Sequence, residues 1–125
     1  MRIIIETIPN ENHRYETCGD WKFNEWGDLE IKVSEMGNDV YHFAVGIHEA
    51  FEAMRCKQLG IKEEDITNFD IKFEKKRKKG NTDEPGDDPA SLYKRPHFQA
   101  TNLERMVVDY MDEDFNKYND TVNNL

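Results

Sequence analysis

The stretch from Gly37 to Gly60 limits the fold more than any other part of the chain. Gly37-Asn38-Asp39 supplies a turn and a helix N-cap, and Gly60 supplies a stop. Together they predict one helix from Asp39 to Leu59, about five turns long. Val40, Ala44, Ile47, Phe51 and Met54 form its main apolar stripe, expected to face inward. A second row, Tyr41, Val45, His48, Glu52 and Leu59, runs beside it, and Gly46, Ala50 and Ala53 make a third, small side that another element can approach closely. A helix of this kind is expected to be buried on most of its surface. His48 and Glu52 then sit in an otherwise apolar row, and a buried imidazole and carboxylate require partners.

The residues Gly46 to Cys56 read GIHEAFEAMRC and contain HExxE. His48 and Glu52 are four apart, so on a helix both project from one face, one turn above the other. That spacing suits a metal. Glu49 stands where the metalloprotease pattern HExxH keeps its general base, although the second histidine of that pattern is Glu52 here.

The amino-terminal third predicts a sheet. Arg2 to Ile8 is β-branched and closes at Pro9, and Trp21 to Trp26 and Leu29 to Glu35 flank Gly27-Asp28, a dipeptide suited to a hairpin turn. Trp21 and Phe23, with Trp26 as a further candidate, alternate with polar residues, as do Leu29, Ile31 and Val33. The pattern gives a three-stranded, largely antiparallel sheet with one buried face. Beyond Gly60, Lys62 to Phe73 predicts a short helix with Ile66, Phe69 and Phe73 inward. The basic run Lys72–Lys79 and the acidic stretch Asp83–Asp88 read as solvated surface, and the latter lacks the spacing of a calcium loop. Pro96 opens a last helix, to about Phe115, whose inward row holds His97, Thr101, Glu104, Val108, Met111 and Phe115.

A hydrolytic zinc site uses three protein ligands and leaves one position for water, and two histidines with one glutamate is a common set. His48 and Glu52 from the first long helix and His97 from the last supply it. Glu49 would take a proton from the bound water, and Glu104, two turns after His97, would orient a ligand or be a fourth one. Tyr93, one turn before His97, is the candidate for stabilising an oxyanion. Zinc is the expected cofactor, another divalent metal remaining open. Zinc cannot be shared if the His48 and His97 side chains lie more than about 7 Å apart. Without a metal, His48 and Glu52 would be a buried hydrogen-bonded pair, and in so glutamate-rich a chain HExxE arises by chance. Cys18 and Cys56 read as packing residues, with Cys56 a conceivable soft ligand. His13 and His42 read as surface residues.

A chain of 125 residues with a formal net charge of -9 and a pI near 4.9 predicts a single domain and argues against nucleic acid or an anionic membrane as partner. Two cysteines outside any CxxC pair fit a reducing cytoplasm. The apolar run at the amino terminus is too short for a signal peptide, and no stretch approaches a membrane span.

The whole chain resembles a family of small uncharacterised bacteriophage and prophage proteins. The resemblance runs through IIIETIP, RYETCGDW, LEIKVSEMG, VGIHEAFEAMRCKQLGI, FDIKFE, EPGDDPASLY and HFQATNLER. It implies a viral setting, hence the host cytoplasm, and a recurrent polar constellation at His48, Glu49, Glu52, His97 and Glu104. More distantly, strands before an HExx helix and a second helix are similar to the minimal zincin metalloprotease core, from which Glu52 departs. The expectation is an α+β domain: a sheet in 1–36, the HExxE helix in 38–60, an acidic loop in 80–92, a carboxy-terminal helix in 94–115 and a fraying tail in 116–125. The leading function is a zinc-dependent hydrolase or peptidase acting on a peptide or protein. The alternative is a non-enzymatic phage accessory protein that binds a host protein, with the constellation structural. A magnesium-dependent nucleotide pyrophosphatase would need more acidic ligands than Glu49, Glu52 and Glu104. Oligomeric state is open.

Overall fold

The computed structural model describes residues Met1–Leu125. The architecture is α+β, with three strands, β1 (Ile3–Ile8), β2 (Gly19–Phe23) and β3 (Leu29–Ser34), and four helices, α1 (Asp39–Leu59), α2 (Glu63–Lys75), α3 (Lys94–Tyr110) and α4 (Phe115–Asn123). One-turn 3-10 helices lie at Asn10–Asn12 and Pro85–Asp87. No helix is long and apolar enough to cross a membrane.

The β2–β3 hairpin follows from alternation. Leu29, Ile31 and Val33 are buried, and Trp21 pairs opposite Ile31 in antiparallel register. Asn24 Oδ1 accepts the N–H groups of Trp26 and Asp28, while Gly27 adopts φ 79°. This turn places Trp26 outside the strand and 77% exposed, not in the inward row. The sheet is mixed, not antiparallel throughout. Its order is β1-β3-β2, and β1 runs parallel to β3 from Ile3 opposite Leu29 to Ile8 opposite Ser34. The segment between β1 and β2 carries the chain across, so β3 enters between them and meets β1 in the same direction.

Helix α1 has the limits its caps dictate. Asn38 Oδ1 accepts from the Val40 and Tyr41 N–H groups, and Gly60 at φ 71° returns its N–H to the last turn. Its orientation differs from expectation. Ala44 is buried, but Val40, Ile47, Phe51 and Met54 are only half-buried, and the inward row is Tyr41, Val45, His48, Glu49, Glu52, Ala53 and Cys56. The helix turns its polar row inward because the partners of that row lie there. Gly46 lacks a Cβ where the Ile5 side chain lies, so β1 closes on the helix. His42 is buried rather than superficial, its Nε2 accepting the Met36 N–H at 2.9 Å, and His13 Nε2 meets Ser34 Oγ at 2.9 Å.

The carboxy-terminal helix is two helices. Asp112 at φ 58° breaks it, and Asp114 Oδ1 caps α4 by accepting from Asn116 and Lys117 N–H. The segment expected to fray packs on the core through buried Tyr118, whose ring lies edge-on to Tyr41. Met111 is therefore exposed rather than inward.

Candidate metal centre

Helices α1 and α3 pack side by side, which brings His48, Glu52 and His97 together. The two imidazole centroids are 4.8 Å apart, inside the limit for sharing an ion. Glu52 Oε2 lies 3.2 Å from His48 Nε2 and 2.9 Å from His97 Nδ1. One ligand atom from each residue falls within 4.8 Å of the other two, and all three residues are buried, so the group lies close enough to hold a metal ion. Ligands about 2.1 Å from a tetrahedral zinc stand roughly 3.4 Å from one another. The observed contacts need to open by only a few tenths of an ångström.

The outer atom of each ligand is also held. His97 Nε2 donates to Glu84 Oε2 at 2.7 Å, with Asp87 Oδ1 at 3.6 Å. Glu104 Oε1 lies 2.7 Å from His48 Nδ1 as a close charge contact, without the alignment of a hydrogen bond. Glu104 in turn accepts the Tyr118 hydroxyl on its other oxygen, and Glu52 Oε1 accepts Trp21 Nε1–H at 3.0 Å. Carboxylates behind histidines, fixing ring orientation, are the usual second layer of a metal centre. Glu104 thus supports His48 from the side away from Glu52. Cys56 is buried elsewhere in the core.

In the metal-free protein the five groups form an alternating chain, Glu104–His48–Glu52–His97–Glu84. Burial opposes charge on His48, but Glu104 and Glu52 outweigh it and hold the pKa well above the ordinary value. Burial is likewise overcome at His97, where Glu52 and Glu84 raise the pKa to about 10. Burial opposes ionisation of Glu52 too, yet the two histidines bring it down to about 2. Two protons then do the work of one divalent cation, since each imidazole faces carboxylates through both nitrogens.

Glu49 is different. It is 9% exposed and engages in no hydrogen bond, and burial, reinforced by Glu52, pushes its pKa well above the carboxylate range. Its carboxylate occupies the space in front of Gly19, where a Cβ would fall 2.7 Å from Oε1. Glu49, His48, Glu52 and His97 share a pocket of about 590 Å³ that opens to solvent. Tyr93 is not aimed at a reacting group, because its hydroxyl donates to Asp70 Oδ1 at 2.5 Å.

Several contributors escaped the sequence reading. Glu84 comes from the acidic loop taken for solvated surface, Trp21 from a strand, Tyr118 from the tail and Asp70 from α2. None shares a helical period with HExxE, so no spacing ties them to it. Gly86 is the remaining one: a Cβ at this position would collide with the His97 ring. Compared with known proteins, the chain matches no family model, no curated protein and no solved structure.

Proposed function

We propose that the protein is a metal-dependent hydrolase, with zinc held by His48, Glu52 and His97 and with Glu49 as general base. The observation that carries this reading is the contrast between Glu49 and its neighbours. His48, Glu52 and His97 each have their outer atom in a close polar contact, while the Glu49 carboxylate is buried, without a hydrogen-bond partner and open to the pocket. A structural metal is normally enclosed by four protein ligands, whereas three ligands beside an open cavity leave room for water and substrate.

A bound zinc ion supplies a more acidic water and polarises the carbonyl to be attacked. Glu49 is placed to take a proton from water in the pocket and would return it to the departing group. For a peptide, the carbon–nitrogen bond breaks as the water oxygen joins the carbonyl carbon and the proton joins the amine nitrogen. Glu84 and Glu104 hold the rings of His97 and His48, and Trp21 fixes the second oxygen of Glu52.

The test is zinc content of protein purified without a tag or chelator, for the parent and for His48→Ala, His97→Ala and Glu49→Gln. The expected result is about one zinc per chain in the parent and in Glu49→Gln, none in the histidine variants, and peptide cleavage by the parent alone. A parent that takes up no metal, or a Glu49→Gln protein that cleaves as fast as the parent, refutes the proposal.

A further inference from the structure

The same pocket holds a second buried carboxylate without a positive partner. Asp70 on α2 is 7% exposed, and its oxygens accept only from two neutral donors, Tyr93 at 2.5 Å and Tyr15 at 3.2 Å. The other buried acids are matched by cations. Asp20 is gripped by Arg14 at 2.6 and 3.0 Å, and Glu52 stands between the two histidines. Glu49 and Asp70 are left over, and both line the cavity. Tyr93 connects Asp70 to the metal group, its ring standing edge-on to that of His97 at 6.0 Å and 88°.

Most of the charged side chains that line the pocket have the same sign. Eleven aspartates and glutamates face the cavity, against Arg77 as its one lysine or arginine. Arg77 is already engaged, by the Glu74 carboxylate and by the carbonyls of Asn81 and Asp83. A buried carboxylate without a counter-charge is costly, and a cleft of one sign with low-dielectric walls concentrates the opposite charge. A second metal ion would need further ligands, and neither Asp70 nor Glu49 belongs to a group close enough to hold one. An ammonium or guanidinium group needs only the carboxylate.

We propose that the pocket receives cationic peptides, Asp70 anchoring an ammonium or guanidinium group beside the bond exposed to the metal site. The cleavage of such peptides rests on the hydrolase reading above; their binding does not. Anionic substrates, phosphate esters included, are turned away by the same lining. The cation has two sources, a lysine or arginine side chain or a free α-amine.

The experiment is calorimetric titration of full-length, zinc-loaded Glu49→Gln protein, in which binding is read without turnover and Asp70 is the unpaired buried carboxylate that remains. The probes are synthetic decapeptides alike except for a central Lys, Gln or Glu, each with a free or an acetylated amino terminus. Lys peptides are expected to bind at least about tenfold more tightly than Gln peptides, with Glu peptides undetectable. Adding Asp70→Asn should bring Lys and Gln peptides to within about twofold, while its zinc content reports that the fold is kept. Tight binding by acetylated Lys peptides assigns the cation to the side chain; binding only with a free terminus assigns it to the α-amine. Equal affinity for Lys and Gln peptides with no loss on acetylating the terminus overturns the inference without any recourse to the Asp70 variant, and so does a full charge preference surviving Asp70→Asn. Cleavage by the parent enzyme separates the two proposals. Charge-blind cleavage leaves the hydrolase standing and removes the anchor, and tight binding of Lys peptides with no cleavage does the reverse.

Discussion

At the scale of single residues, the site depends on groups that carry no chemistry of their own. Gly86 is the clearest. A Cβ there would come within 2.6 Å of His97 Cδ2 and Nδ1, so the imidazole is held between the 3-10 turn and Glu52 only because the turn has no side chain at that point. Gly86→Ala must push the ring away or lift the turn, and either change spoils the ligand geometry. Its zinc affinity, measured by competition with a chromogenic chelator, is expected to fall about 10- to 100-fold, the usual cost of disturbing what orients a ligand. An unchanged affinity would mean that the turn does not fix His97. The sequence could display HExxE and His97, because each sits in a helical period that can be counted. It could not display Gly86 or Glu84, since EPGDD has the composition of a solvated loop and its inward turn is visible only once His97 is in place.

At the scale of elements, legibility follows the caps. Asn38 and Gly60 fixed α1 to the residue, whereas the break between α3 and α4 rests on Asp112 in the left-handed region and on the Asp114 cap, signals hidden in an acidic run. Helix α2 was legible as a helix but not in its attachment, which is largely polar. It is moored by Arg14 to Glu63 and Thr67 and by Tyr15 and Tyr93 to Asp70, with Ile66 as its buried apolar contact. That mooring is pH-sensitive. Burial raises the Asp70 pKa from 3.8 to about 7; its two tyrosine partners and the charge of His97 pull it down, and that of Glu52 adds to the rise. A carboxyl whose folded pKa is raised contributes most below its unfolded value, and the contribution is lost as pH climbs through about 7. Metal-free protein should therefore lose on the order of 4 kcal/mol between pH 4 and pH 8 through this group. Asp70→Asn should flatten that part of the pH profile in urea unfolding and be the more stable protein at pH 8. A variant with the parent's slope would show that Asp70 stays ionised throughout. A residue that costs stability and is nevertheless buried at a pocket wall is the pattern of a binding group, since sites for ligands trade stability for function.

At the scale of the molecule, alternation specified which faces of β2 and β3 are buried but not where β1 pairs, because an edge strand of isoleucines offers the same pattern to either neighbour. The whole fold converges on one interior that is partly charged. The α1 face turned toward β2 and α3 carries His48, Glu49 and Glu52 among its buried residues, so part of what would be core in an ordinary small domain is a polar chain closed by protons. Replacing those protons with a divalent cation removes the need for two charged imidazoles and ties α1 to α3 directly. Ligand binding to the native state alone stabilises it by RT ln(1 + [L]/Kd), about 4 kcal/mol at free zinc a thousandfold above Kd. For a domain of this size that corresponds to a Tm higher by roughly 10–20 °C. The rise should shrink as pH is lowered, because both histidines must surrender a proton to bind the ion. Differential scanning calorimetry of chelator-treated parent protein and His97→Ala, with and without zinc, decides the point. A rise in the parent that is absent from His97→Ala places the ion between α1 and α3. An equal rise in both would put the zinc on the acidic surface instead, and no rise in either would leave the buried histidines and glutamates as a purely structural knot.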